Sequence, residues 1–546
     1  LSFTSKLKNN LSVRGVVYLA NDEQNQNSST ITKYNLANNL ISFTEDNFYL
    51  NKKTLASTEI EIKYSPNDKN YITNLFIFKN NPNKTTNNLL FNTDIINQNS
   101  NSENYTIYNH FNHTLQLTEK TVLNNYIYIG YDKIDENSKV SSPFLNSFLS
   151  LDTNQIINQN TNNKLFYIGN KSKVISKFRK IDLTNTVQFE YSNERFKNDF
   201  IANNQNILTY QNHKNLIIIN LFQENTMRYK FSSKIDLTAN LNLQNSQFDT
   251  NTFSKNLFLI NPSIYFNIKK TGFGNFSLSF SENNSLPLIN QLTTNYQLTD
   301  YRSFLIGTTL QKPLKNQSTG INYSYYNDEK RFSINTNVFY SNSKSIFNTS
   351  SNLTSDFNIN SYIQTKGSES YNFNFSLVNY SRKLKLASKI ESLNNWITSP
   401  LNVNSTEFSN AKNYNNSIKY SATTYFKSNI NFDFGFSYNY FQSNFQGIKT
   451  TNTTKEAFLN INYNVSKTIL AESNNSLYNV NNQNYSFNNI VLSYTPIESK
   501  FSYRLMLNNL VNENQYISIS INNYNYYQSI IQLVPRYVLG TVKYRF

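Results

Sequence analysis

Residues able to bind a metal or activate a nucleophile are few in this chain. It has three histidines and no cysteine. His110 and His113 stand in a stretch with strand character, where a spacing of three turns their side chains to opposite faces and makes them poor co-ligands. A structural or solvated role is the plainer reading than a metal site. His213 has no evident partner in the sequence. Without Cys there are neither disulfides nor thiolate metal sites. Gly272-Phe-Gly274 is too short for a phosphate loop and lacks the strand–helix setting. Ser and Asp are plentiful, yet nothing marks a nucleophile elbow or a triad. The chain reads as no enzyme and implies no cofactor. What remains is a group of cations near the carboxyl end. Arg504, Lys543 and Arg545 share one face if residues 501–507 and 538–546 form neighbouring antiparallel strands, about 5 Å apart. Such a cluster suits docking of an acidic partner, and ordinary solvated charge is the competing reading.

Those cations depend on strands to place them. The clearest is 430–440, where Ile430, Phe432, Phe434, Phe436, Tyr438 and Tyr440 alternate with Asn431, Asp433, Gly435, Ser437 and Asn439. Successive strand side chains take opposite faces, so one face is aromatic and the other polar. The pattern recurs at Phe332/Ile334/Thr336/Val338/Tyr340, Tyr371/Phe373/Phe375/Leu377, Leu459/Ile461/Tyr463/Val465 and Phe501/Tyr503/Leu505/Leu507. A soluble sandwich would bury the aromatic face against a second sheet. A transmembrane barrel shows it to lipid and turns the polar face to a wet lumen.

Composition favours the barrel. The 546 residues are 38% hydrophobic and only 15% charged, with 40 Tyr and 41 Phe. Asn numbers roughly 100, far above ordinary usage. No run approaches the roughly 18 apolar residues of a membrane helix. Barrels lack such runs because each strand is apolar on one face only. Tyr438, Tyr440, Tyr544 and Phe546, near strand ends, suit an interfacial girdle. The formal charge of +16 fits attraction to anionic lipid or an acidic ligand, or scattered Lys at turns. No dense basic run suggests nucleic acid.

Short turns are expected within 5–14 and near 65–69, 118–120, 232–234, 269–271, 298–300, 327–330, 381–383, 466–467 and 496–498. The polar segments 21–30, 80–104, 341–355 and 394–416 read as long loops. Residues 134–184 yield no strand assignment, no stretch reads as a capped helix, and no linker divides 1–546. The fold class is therefore all-β: a large transmembrane antiparallel β-barrel of roughly 20–24 strands, with short periplasmic turns and long extracellular loops.

The carboxyl end carries a family resemblance. Pro535-Arg-Tyr-Val-Leu-Gly-Thr-Val-Lys-Tyr-Arg-Phe546 sets Gly540, Val542, Tyr544 and Phe546 on the lipid-side register. This resembles the terminal assembly signal of bacterial outer-membrane barrels, with Gly540 one residue further from Tyr544 than usual. Upstream, Asn509-Leu-Val-Asn512 and Tyr516, then Pro-Arg and a Phe-ended strand, resemble the end of TonB-dependent outer-membrane receptors. The Asn- and Tyr-rich, Gly-poor style (11 Gly) is similar to those of Bacteroidota. The specific match covers about the last 50 residues. The resemblance implies a bacterial outer-membrane location among lipid and lipopolysaccharide, and TonB-dependent uptake of a bulky nutrient. That family carries a plug domain before its barrel, whereas strand-like sequence begins here at residue 1. The plug and the TonB system are therefore expected from outside this sequence. A plugless structural or machinery barrel partnered by surface lipoproteins, and a secreted Asn-rich β-repeat adhesin, remain the alternatives.

Overall fold

The computed structural model describes residues 2–8, 10–36, 39–151, 155–202, 204–270, 272–405 and 407–545. Asn9 and Thr271, each expected in a turn, and Phe546 of the terminal signal lie outside the described residues. Among the described residues thirty strands join in one sheet. Neighbours around the wall are antiparallel, and the two parallel pairings, Ser303–Ile306 with Asn358–Thr365 and residues 350–351 with 402–403, lie among the loops. Setting aside the short loop strands leaves about two dozen staves, within the range of large outer-membrane barrels.

Alternation assigns the faces. Ile62, Ile129, Val338 and Phe436 stay 38%, 41%, 45% and 45% exposed on the outer side, while their sequence neighbours Glu61, Tyr128, Asn337 and Ser437 turn inward. An aromatic girdle rings the outer side on five successive strands. Tyr340 meets Tyr371 at 4.8 Å between ring centroids, Trp396 stacks on Tyr414 at 5.1 Å, and Tyr440 follows at 6.1 Å. Near the opposite rim, Phe501–Tyr544 at 4.8 Å and Tyr494–Tyr503 at 6.1 Å supply a second belt. The outward apolar side chains lie between them, as a bilayer-spanning band of about 25 Å requires.

Beyond the upper girdle the strands do not end. Leu11–Leu36 pairs with Asn39–Asn67 without a register shift, from Leu11 opposite Tyr64 to Leu36 opposite Asn39. Period two therefore persists while polarity inverts. Ile60 and Ile62 point outward in the band, but Tyr34, Ile41 and Phe43 point inward near the tip and are buried. On Ile430–Phe445 the outward Phe436 gives way to the inward Phe445, 1% exposed. Phe347 and Leu353 repeat the switch on Phe332–Leu353. With no lipid outside, apolar groups are stable only in a core of their own. Most of the inverted tips converge on one cluster, with Phe43, Leu89, Phe91, Ile96, Val140, Ile157, Phe200, Leu353, Val403 and Phe445, and Phe347 joins Phe196, Leu216 and Phe248 in a second.

Several expectations are corrected by this extension. Residues 21–30 are strand, inside Leu11–Leu36. Residues 80–104 hold Asn83–Phe91 and the start of Asp94–Thr118. Residues 341–355 mostly continue Phe332–Leu353, and 394–416 are shared between Leu386–Val403 and Ser409–Thr424. Cross-strand amide pairs, such as Asn87 with Asn47 at 3.0 Å and Asn416 with Asn394 at 2.6 Å, show how Asn serves in a sheet. Residues 298–300 belong to a strand, Gln297–Asp300, rather than a wall turn. The unassigned 134–184 region contains parts of Thr121–Ser141 and Ile156–Lys177, and a short helix, Pro143–Phe148, stands between them where none was read.

Candidate functional site

Residues 286–313, between Gly274–Ser285 and Leu314–Asn327, turn inward and cover the mouth. Their apolar side chains explain why. Ile289, Leu292, Leu298, Phe304 and Leu310 are 0–6% exposed and complete the clusters of the strand tips. The segment is also held by polar side chains from around the wall. Gln159 clamps Leu298 twice: its Nε2 donates to the carbonyl at 2.7 Å and its Oε1 accepts the N–H at 2.9 Å. Asn212 does the same for Asn295, at 3.1 and 3.0 Å. Lys255 Nζ donates to Leu310 O at 2.6 Å, and Gln364 Nε2 donates to Lys312 O at 2.6 Å.

The charged part of this closure is Glu45, Tyr301 and Arg302. Tyr301 donates to Glu45 Oε1 at 2.5 Å. Arg302, 4% exposed, lays its guanidinium 4.2 Å from the Phe43 ring centroid and 5.2 Å from that of Phe91, and donates to Thr354 O at 3.2 Å. Stacking on two rings suits the planar, weakly hydrated guanidinium. Burial raises the Glu45 carboxyl above its ordinary value, a shift opposed by the Tyr301 hydrogen bond and the Arg302 charge. Burial and the neighbouring Glu45 charge push the Tyr301 hydroxyl upward.

Beneath this cover, against the wall, lies a cavity of about 430 Å³. Its lining includes Tyr49, Asn87, Gln98, Glu136, Gln159, Thr161, Gln297 and Asp300. The size is that of a ligand pocket, and amides, hydroxyls, two carboxylates and Lys139 equip it for a polar ligand. Lower in the lumen, a polar ladder crosses several staves. His110 Nδ1 and Tyr126 Oη share a hydrogen bond of 2.6 Å, Tyr128 donates to Glu190, and Asn220 donates to Glu190 at 3.4 Å. A Cβ on Gly130 would overlap the Tyr167 ring, and one on Gly169 the Tyr128 ring. The two tyrosines thus lie flat across glycines of the neighbouring strand, leaving the lumen open.

The residues singled out from sequence fall as follows. Phe501–Asn508 and Tyr537–Tyr544 are antiparallel neighbours; Arg504 stands opposite Thr541 and Lys543 opposite Ser502. Arg504 and Lys543 therefore share one face, the one opposite Val538, Gly540, Val542 and Tyr544. His110 and His113 do face opposite ways, bonding to Tyr126 and to Asn70. His213, for which no partner was evident, meets Asp199 at 2.9 Å. Among the described residues no group of three His, Asp or Glu could hold a metal ion. The covering segment and its pins were missed. Their one sequence signal is the apolar Leu286, Leu288, Ile289 and Leu292 within an otherwise polar run.

No family model matches the chain, and no curated protein matches it. Solved structures match in fold. FpvAI in its complex with pyocin S2 aligns over 93% of this chain and 70% of that chain, with TM-score 0.53 and 8% identity. P. aeruginosa FpvA bound to heterologous pyoverdines aligns over 93% and 71%, with TM-score 0.52 and 9% identity. The copper transporter OprC aligns over 93% and 80%, with TM-score 0.50 and 7% identity. At such identities the likeness is one of architecture: a large outer-membrane-type β-barrel.

Proposed function

We propose that the protein is a bacterial outer-membrane receptor that takes up a bulky nutrient by TonB-dependent transport, with plug and energy coupling supplied from outside this sequence. The observation that carries this reading is the hydrogen-bonded cover of residues 286–313 over a polar chamber, a ligand-sized space beneath a roof. Pyoverdines on one fold neighbour and copper transport by another make metals and their chelates the cargo to test first. Uptake of labelled ferric and copper chelates is measured in cells with and without the protein, and after collapse of the proton-motive force. Uptake should fall in both cases, and uptake indifferent to loss of the protein overturns the proposal. Arg504, Lys543 and Arg545 are read as a docking face for the plug or an acidic partner. Arg504→Glu with Lys543→Glu should then abolish partner co-purification, and unchanged co-purification removes that role. Gly540, Val542, Tyr544 and Phe546 are read as the assembly signal.

A further inference from the structure

Charge differs between the two ends of the barrel. Among the described residues the connections at the short-turn rim, from 68–69 round to 495–500, hold thirteen Lys and Arg against five Asp and Glu. The remaining connections hold four against three. On one side of the rim carboxylates answer the cations: Lys230 meets Asp182 at 2.6 Å and Arg228 meets Asp236 at 2.9 Å. Three consecutive connections, 328–331, 382–385 and 425–429, are different. They carry Lys330, Arg331, Arg382, Lys383, Lys385 and Lys427, and among the described residues none of the six is in an ion pair. Asp328 and Glu329 are the only carboxylates on these three connections, and Asp328 accepts from Tyr326 Oη at 3.0 Å.

The six cations do not hang from independent loops. Arg382 Nη2 donates to Glu329 O at 3.2 Å, Tyr380 N–H to Arg331 O at 3.0 Å, and Tyr425 N–H to Lys385 O at 2.7 Å. The Arg331 guanidinium lies 4.8 Å from the Tyr380 ring centroid, and the Tyr425 ring meets Tyr380 edge-on at 5.9 Å. Neighbouring connections stand two staves apart, about 10 Å, and these contacts fix them as one arc. The backbone shows the same bias. Of the thirteen non-Gly residues with positive φ among those described, eight are Asn, which tolerates that conformation well. Arg331 at 47° and Lys385 at 48° place cations there instead. Beside the charges, Leu384 and Tyr425 stay 60% and 56% exposed, and Phe426 is exposed as well. Apolar bulk interleaved with Lys and Arg is the composition of a surface that lies in the headgroup zone.

We propose that this arc binds the phosphodiester headgroup of an anionic phospholipid in the periplasmic leaflet, with Leu384, Tyr425 and Phe426 seated at the base of its acyl chains. A zwitterionic headgroup brings an ammonium of its own, which unpaired cations disfavour, whereas an anionic phospholipid presents its phosphate alone. Arg offers that phosphate a fork of donors, and Lys a point charge. A soluble phosphate compound would satisfy the cations and leave the apolar tips in water, whereas a lipid satisfies both. The arc is separate from Arg504 and Lys543, and the proposal holds whether or not the barrel is a receptor.

The test is the anionic share of the phospholipid that co-purifies with the full chain from its native membrane in mild detergent. That share should exceed the membrane's own several-fold. Lys383→Gln, Lys385→Gln and Lys427→Gln together leave Arg331 and Arg382 to hold the arc, and should return the share to the membrane value. Lys69→Gln, Lys120→Gln and Lys467→Gln remove equal charge at other turns and should preserve the enrichment. A heat-shifted band like the parent's shows that both variants fold. Enrichment kept by the arc variant, or lost equally by the other, overturns the proposal. So does a parent without enrichment that instead retains an acidic protein. Short-chain phosphatidylglycerol should bind the solubilised parent several-fold tighter than glycerol phosphate; equal affinity overturns the lipid assignment, because the apolar tips then add nothing.

Discussion

Gly130 and Gly169 are wall residues whose missing side chains are occupied by tyrosine rings from the next strand. Both sit in regular strand, so space rather than conformational freedom is what they provide. Gly130→Ala should lift Tyr167 into the lumen and cost about 1–3 kcal/mol, the usual range for overpacking. Adding Tyr167→Ala should recover part of that loss, because contacting residues are not additive; urea unfolding in lipid vesicles measures both. Glu45 gives a pH effect whose sign can be worked out. Its carboxyl is raised above the ordinary 4.5 when folded, so between those two values the folded protein holds a proton that the unfolded chain has released. Stability of the covered mouth should therefore rise as pH falls through that window and decline as it rises. Glu45→Gln should flatten the dependence, read as the rate of proteolysis within 286–313. None of this was legible in sequence. Glu45 and Tyr301 are brought together from distant parts of the chain, as are His213 and Asp199, and only pairing across strands makes them neighbours.

At the scale of elements, residues 286–313 form the part most open to test. Each doubly bonded amide, Gln159 on Leu298 and Asn212 on Asn295, satisfies backbone groups that would otherwise be buried unpaired. A net hydrogen bond contributes about 0.5–1.5 kcal/mol. Gln159→Ala with Asn212→Ala should weaken the cover by about 3 kcal/mol, roughly a hundredfold in its open fraction. Single-channel conductance in planar bilayers should show it as frequent openings where the parent stays closed; identical traces would mean the cover is held by its apolar core alone. Strand identity was readable over most of the band with lipid outside, because apolar and aromatic residues there mostly mark one face, although Tyr126, Tyr128 and Tyr167 turn to the lumen and the strands within 134–184 were not read. It failed above the girdle at 21–30, 80–104, 341–355 and 394–416. There the apolar residues move to the other phase and Asn, Ser and Thr fill the rest, so the alternation looks broken although the strand runs on. Asp300, a turn former by type, was misread for another reason: it ends a strand that only the covering segment creates.

For the whole molecule, burial of the band in a bilayer predicts heat-modifiable migration. Unheated protein in detergent should run as a compact species and shift on boiling, whereas a secreted repeat adhesin would run identically in both states. Tyr544→Ala should lower the compact fraction several-fold if the carboxyl end directs assembly, a change visible by quantitative blotting of membranes. The common face of Arg504 and Lys543 followed only once their strands were shown to pair. The amino-acid sequence by itself determined the all-β class, the barrel and the orientation of the spanning faces. Those properties follow from a period of two read against lipid, which is local information. The tertiary structure alone decided how far the strands rise beyond the membrane and which apolar residues turn inward to a common core. It also decided that 286–313 folds back over the lumen. These depend on what surrounds each face at each height, and a one-dimensional pattern of polar and apolar residues does not carry that surrounding.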